Sequence, residues 1–322
     1  MTAVESITVA DGDDDIRLDR WFKRRYPALT HGRLEKLLRT GQVRIDGGRA
    51  KANQRLSAGQ VIRVPPLPQD ADTPRRAPGT VSDKDAALIK SLVIHRDDEL
   101  IVLNKPAGLA VQGGSKTERH IDGMLDALRF GHAERPKLVH RLDRDTSGIL
   151  LVARNAKAAT RLGKAFQDGG IEKTYWAVVH GCPRHPRGTI DAALAKAGSK
   201  GHERMTWDDK EGRDAVTDYM TISEARPRFA WLALMPRTGR THQLRVHCAL
   251  MENPIVGDIK YGAPADIGGG DLAGLGRRLM LHARRIVVPR AGKSPLTLEA
   301  PLPDHMAKLF AALGFEEGEG TA

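Results

Sequence analysis

The segment His140-Arg141-Leu142-Asp143-Arg144-Asp145-Thr146-Ser147-Gly148 runs directly into Ile149-Leu150-Leu151-Val152-Ala153. The second half is an unbroken apolar run with β-branched residues, and it predicts a strand buried on both faces. The first half crowds charged and titratable side chains ahead of a Thr-Ser-Gly turn. A carboxylate there rides on a loop held by a rigid element, where catalytic groups tend to be found. An Asp in such a turn is also an ordinary Asx-turn residue or an arginine's ion-pair partner. Residue type alone therefore leaves the role of Asp143 open.

Working outward, 322 residues suffice for a large core, expected as one big domain plus a small one. Apolar content of 40% and a mean hydropathy of −0.39 fit a globular protein. No run of 18 apolar residues occurs, so no membrane span is expected. Met1-Thr2-Ala3-Val4-Glu5-Ser6 lacks the basic flank and apolar core of a signal peptide. The two cysteines, Cys182 and Cys248, make no metal-ligand spacing and suit a reducing compartment. The expected location is the cytoplasm.

The net charge of +11 points to a polyanionic partner. Residues 16–63 hold 13 Lys/Arg against 3 Asp/Glu, so nearly all the excess lies in one short segment. A generally basic surface would spread it. Within that segment Leu18, Trp21 and Phe22 recur at helical spacing among arginines, and Pro27 ends the run. A second helix is expected from Thr30, its cap, to Arg39, with Leu34, Leu37 and Leu38 buried and Gly41 as its stop. Val43-Arg44-Ile45 and Val61-Ile62-Arg63-Val64 read as strands, with a hairpin turn at Asp46-Gly47-Gly48. Residues 1–15 read as a solvated acidic lead. Residues 65–87 carry five prolines and little periodicity, and read as a semi-stiff linker.

The larger domain is expected over 90–312. Leu100-Ile101-Val102-Leu103-Asn104-Lys105 reads as a strand ended by Pro106 and Gly108, and Ala156 to Phe166 as a helix. Lys173 to Gly181 and Trp231 to Leu234 are further strands, while 195–214 reads as a hairpin or loop. Gly113-Gly114-Ser115-Lys116-Thr117 fails the Walker pattern because Ser115 separates Gly114 from Lys116, and Gly268-Gly269-Gly270 fails the dinucleotide spacing. The densest polar cluster is Arg237-Thr238-Gly239-Arg240-Thr241-His242-Gln243-Leu244-Arg245-Val246-His247. Thr241 is expected to cap a helix with Leu244 and Leu250 inward and His242, Arg245 and Cys248 elsewhere. A helix N-terminus beside Arg240 suits an anion. His242, His247 and Cys248 match no standard zinc spacing, so no metal site is assigned. Residues 263–277 read as a flexible loop, and 313–322 as an acidic tail, disordered over its last residues.

Two resemblances now add to this reading. Residues 16–64, two basic helices and a small hairpin, resemble an S4 (α-L type) RNA-binding domain. That resemblance implies phosphate contacts from Arg33, Lys36, Arg39 and Arg44. His-Arg-Leu-Asp-Arg-Asp-Thr-Ser-Gly-Ile-Leu-Leu resembles the signature of the RluA-type pseudouridine synthases. Asn104-Lys105-Pro106-Ala107-Gly108-Leu109, the Gly-Arg-Thr-His-Gln-Leu-Arg of the polar cluster, Asn253 to Gly262 and Leu279 to Ala283 resemble its other motifs, with Gln112 where a His is common.

The family resemblance implies an α+β fold with a mixed, largely antiparallel sheet and a central cleft. It implies Asp143 as the catalytic aspartate, Tyr175 packing on the target base and accepting a proton, and Arg240 pairing with Asp143. His140, Arg141 and Arg144 would then meet RNA. Pseudouridine formation breaks the N-glycosidic bond of a uridine and rejoins uracil through carbon five, with no redox change, so no cofactor is expected. The motifs look most like the RluC-type branch, implying a monomer that acts on 23S ribosomal RNA or an assembly intermediate. The RluD-type branch and a non-catalytic ribosome-assembly factor are the other readings.

Overall fold

The computed structural model describes residues 4–26, 29–67, 81–113, 117, 119–199, 203–263, 267–290 and 292–321. The chain divides into two compact units, Met1–Thr80 and Val81–Ala322.

In the first unit β1 (Glu5–Thr8) is followed by α1 (Leu18–Arg25), α2 (His31–Arg39), β2 (Arg44–Ile45), β3 (Gly48–Arg49) and β4 (Val61–Val64). The sheet order is β1-β4-β2-β3, all antiparallel. Leu18, Trp21 and Phe22 of α1 and Leu34 and Leu38 of α2 close over it. Thr30 caps α2 by accepting from the Arg33 N–H. The expected lead at 1–15 is corrected: β1 extends the sheet, and Asp15 pairs with Arg55. One apolar residue in Glu-Ser-Ile-Thr gives too little alternation to signal an edge strand.

The expected linker needs revision at its end. Residues 68–80, with Pro68, Pro74 and Pro78, lie outside the described residues, as do Pro27 and residues 114–116. Residues 83–87 are helical: α3 (Asp83–Ser91) is capped by Ser82, which accepts from the Asp85 N–H.

The second unit continues with β5 (Val93–Arg96), β6 (Leu100–Lys105), α4 (Ile121–Met124), β7 (Lys137–Leu138), β8 (Ser147–Ala153), α5 (Ala156–Gln167) and β9 (Glu172–His180). Then come β10 (Arg187–Asp191), β11 (Leu194–Ala197), β12 (Arg204–Trp207), β13 (Val216–Ala225), β14 (Phe229–Pro236), α6 (Gln243–Leu250), β15 (Leu281–Arg290), β16 (Lys293–Glu299) and α7 (Asp304–Leu313). The large sheet runs β10-β13-β14-β9-β15-β8-β6-β5, with β16 on β15 and β7 on β8. Its pairings are antiparallel except β15 with β8. The β11–β12 hairpin stands apart.

All seven residues of β8 are buried, as its apolar run demands. Truncating Leu150 to Ala there is expected to cost about 2–5 kcal/mol. β8 pairs with β15 in register at Ser147↔His282 and Gly148↔Ala283. Gly148 has φ +105, and a Cβ on it would strike the Ala283 backbone. The start of β8 therefore requires glycine where the strands meet. On one side lies a core around β6 and β8, on the other a core around β9 and β14, and Tyr175 packs against both.

Two further expectations are corrected. Within 263–277, Ile267 is buried and its carbonyl accepts from the Arg228 guanidinium. The acidic tail packs as well: Phe315 is buried, residues 317–321 form a 3₁₀ turn, and Glu317 pairs with Arg284.

Candidate active site

The Asp143 loop is fixed by its backbone. The Arg144 carbonyl accepts from the Gly108 N–H at 2.8 Å and from Lys105 Nζ at 2.9 Å. Lys105 is fully buried at the end of β6 and also donates to the Pro106 and Leu109 carbonyls. Three ammonium donors thus meet three carbonyls and tie the loop to the turn after β6. Burial lowers the Lys105 pKa to about 7, against the pull of Asp145 and Asp143.

Asp143 faces a cleft of about 610 Å³ lined by its own loop, β9 and the start of α6. Its Oδ2 lies 3.8 Å from Arg245 Nη1 and 3.8 Å from His242 Nε2. Among the described residues no hydrogen bond to its carboxylate is found. The carboxylate faces the Arg245 guanidinium, and its lone pairs remain available to a ligand.

Arg245 is only 8% exposed. It grips Asp258 with Nε–Oδ2 and Nη2–Oδ1 bonds, both 2.7 Å, and turns Nη1 toward Asp143. Burial opposes its charge, but Asp258 and Asp143 outweigh that and raise its pKa. Its guanidinium also lies over the Tyr261 ring, 5.1 Å from the centroid.

Tyr175 and Lys173, two residues apart on β9, point to the same side and line the cleft. Burial and then Asp143 push the Tyr175 phenol well above its ordinary pKa. Burial lowers that of Lys173. A phenol held protonated offers a ring face and a hydrogen-bond donor rather than a resting base.

The approach to α6 is held by Gln243. Its Oε1 accepts from Thr238 Oγ1 at 2.8 Å and from the Arg240 N–H at 2.9 Å, while Nε2 donates to the Val216 carbonyl and to Thr217 Oγ1, both at 3.0 Å. Thr217 Oγ1 in turn lies 2.9 Å from His247 Nδ1. The cap position of α6 is His242, not Thr241, with φ 54 and no capping side chain. The expected helix face is also corrected: Arg245 and Cys248 are buried with Leu244, whereas Leu250 is exposed. The first turns of α6 are enclosed all round, so polarity does not mark the side facing solvent.

The sequence-chosen residues divide accordingly. Asp143 and Tyr175 share the cleft. Arg240 lines it too, but its Nε donates to the Asp214 carbonyl, and Arg245 takes the place beside Asp143. Arg141 and Arg144 are exposed on the loop, with Arg144 paired to Asp145. His140 is turned inward: its ring stacks on Phe166 at 4.5 Å and its Nε2 accepts from the Leu151 N–H at 2.8 Å. Burial, with Lys173 nearby, lowers its pKa to about 3, so it lines the cleft beside β8 as a neutral ring. In the first unit Arg33, Lys36 and Arg39 lie on the exposed face of α2, whereas Arg44 donates to the Gly41 and Gly47 carbonyls.

A family model described as RNA pseudouridylate synthase matches residues 99–250, which span both sides of this cleft. The chain is also 35% identical over 303 residues to ribosomal large subunit pseudouridine synthase C of Rickettsia prowazekii, covering 91% of this chain and 95% of that one. The chain belongs to the RluA-type RNA pseudouridine synthases. Members of this family are isomerases. A second relative of this synthase is RNA pseudouridine synthase 4, mitochondrial, of Arabidopsis thaliana, 35% identical over 97% of this chain and 84% of that one. Among solved structures, human RNA pseudouridylate synthase domain containing 4 superposes with a TM-score of 0.62 at 30% identity, over 72% of this chain and 98% of that one.

Sequence reasoning about this synthase missed Lys105, Gln243, His242, Arg245, Asp258 and Tyr261 as parts of the site. Arg245 closes the Gly-Arg-Thr-His-Gln-Leu-Arg motif, but the expected helix face turns it away from the site. Among the described residues no helix is long and apolar enough to cross a membrane, and no cluster of His, Cys, Asp or Glu is placed to hold a metal ion.

Proposed function

We propose that the protein isomerises specific uridines of 23S ribosomal RNA to pseudouridine, with Asp143 as the catalytic carboxylate and no cofactor. The observation that carries this reading is the Asp143 carboxylate itself: 3.8 Å from a buried arginine, without a hydrogen bond of its own among the described residues, and in one cleft with Tyr175. Such a carboxylate has a cation opposite it, yet is open to a sugar or base atom. The Rickettsia prowazekii relative's name supports the large-subunit RNA as substrate. Tyr175 serves as the ring on which the flipped uracil packs. Because its phenol stays protonated, the proton on carbon five passes to a water held by its hydroxyl.

In this reading the first unit is an S4-type module that holds RNA through Arg33, Lys36 and Arg39 on α2. Arg141 and Arg144 meet the backbone of the extruded nucleotide, and Arg240 adds positive charge at the cleft mouth. The enzyme acts as a cytoplasmic monomer.

The test is to incubate the purified protein with unmodified 23S transcript and map pseudouridines by chemical labelling and primer extension. New stops at several defined uridines are expected, and their positions separate the RluC-type from the RluD-type assignment. Tight, salt-sensitive binding with no new stop, on transcript and on ribosomal precursor alike, would favour the assembly-factor reading.

A further inference from the structure

Behind Asp143 runs a polar chain to which the reaction has so far assigned no work. The Met205 backbone N–H, on β12, donates to Tyr261 Oη at 3.1 Å. Tyr261 Oη lies 2.7 Å from His242 Nδ1, and His242 Nε2 lies 3.8 Å from Asp143 Oδ2. A backbone amide only donates, so the phenol oxygen accepts there and its own proton can be given to His242 Nδ1. A neutral imidazole that accepts at Nδ1 carries its proton on Nε2. That is the nitrogen facing Asp143.

The surroundings hold this arrangement. The His242 and Tyr261 rings meet edge to face, 5.6 Å between centroids at 83°. Arg245 lies over the Tyr261 ring. His242 itself has a left-handed backbone, φ 54, an unusual conformation for a residue with a side chain. Such conformations cost about 1–3 kcal/mol and persist where neighbours over-determine them, often at functional sites. Burial lowers the His242 pKa; Asp143 and Asp258 oppose that, whereas Arg245 and Lys260 add to it. The ring beside Asp143 therefore favours its neutral form.

We propose that Tyr261 and His242 form a positioning relay, in which the Tyr261 hydroxyl fixes the His242 tautomer so that an Nε2–H donor is aimed at Oδ2 of Asp143. A movement of about 1 Å brings that donor to hydrogen-bond length. Engaged, it holds Oδ2 and leaves Oδ1 to face the substrate. The inference rests on Asp143 being the catalytic carboxylate. Neither Tyr261 nor His242 is required to touch RNA.

The tautomer is read without any assay of activity. In protein labelled with ¹⁵N-histidine, long-range ¹H–¹⁵N spectra distinguish a bare Nδ1 from a protonated one, and the His242 signals are those lost in His242→Gln. Wild type is expected to show a bare Nδ1 and a protonated Nε2, and Tyr261→Phe a mixture of tautomers. Tyr261→Phe keeps the ring over Arg245, so the packing is retained. On 23S RNA its single-turnover rate is expected to fall about tenfold with KM within about twofold, and the double variant to be no slower than His242→Gln alone. A protonated Nδ1 in wild type would overturn the proposal. So would rate losses that multiply in the double variant, or a Tyr261→Phe effect confined to melting temperature. Inactivity of wild type on every RNA would defeat the functional reading instead, and the tautomer spectrum would still decide the relay.

Discussion

Arg39 and Arg245 carry the same guanidinium into opposite surroundings. Arg39 lies exposed on the last turn of α2, in a segment where basic residues outnumber acidic ones by ten. Arg245 is 8% exposed, with Asp258 on two nitrogens and Asp143 opposite the third. An exposed cation is interchangeable with its neighbours, acts by summed charge and weakens with salt. A buried, forked one is singular, since removing it strands its partners. Arg39 thus belongs to a set of cations that act by summed charge, whereas Arg245 is confined beside one carboxylate pair.

Replacing Arg245 with Met should give the largest effect. Asp258 is 1% exposed and would lose its partner. The expected loss is about 3–5 kcal/mol in denaturant unfolding, along with turnover. A loss below about 1 kcal/mol would place Arg245 with the surface arginines and break the comparison.

His140 tests a second inward-turned cation former. Its folded pKa is depressed from 6.5 to about 3. Between those values the unfolded chain binds a proton that the folded chain refuses. Its contribution is therefore intact above pH 6.5 and is lost as pH falls toward 3, with a slope of up to about 1.4 kcal/mol per pH unit. His140→Gln keeps an acceptor for the Leu151 N–H without titrating, and should make acid unfolding curves shallower by that amount, the slope from His282 and the other buried histidines remaining. An unchanged slope would mean that His140 is not held neutral.

The smallest effect belongs to the exposed set. Lys36→Ala and Arg39→Ala should each reduce the slope of log binding constant against log salt by about one, with melting temperature and saturated turnover unchanged. A shift in melting temperature of several degrees would show that these side chains are structural.

Much of the fold was legible because period and burial agree. β6 and β8 are short apolar runs that became central strands, and Thr30 caps α2 as its position implied. The loop carrying Asp143 stood out because charged residues stood against a core strand, and the family resemblance, not that pattern, pointed to Asp143 within it. The polar segment before α6 was legible as a cluster and illegible as geometry. Its helix is enclosed, so the hydrophobic pattern did not reveal that Arg245 points inward. Nor does linear spacing join His242 to Tyr261, nineteen residues on, or Lys105 to the Arg144 carbonyl. Those contacts arise from loops folding back on the sheet, and no local propensity encodes them. The closing residues read as an acidic tail because composition does not disclose that Phe315 reaches the second core.

The most direct measurement is tritium release from 23S RNA carrying tritium at carbon five of uridine, comparing wild type with Asp143→Asn, alongside RNA binding by both. The asparagine is nearly isosteric and keeps the loop, but it lacks the charge and the nucleophilic oxygen. Release should fall by about three orders of magnitude or more with binding unchanged. Release by Asp143→Asn at the wild-type rate would contradict the assignment of Asp143 as the catalytic carboxylate.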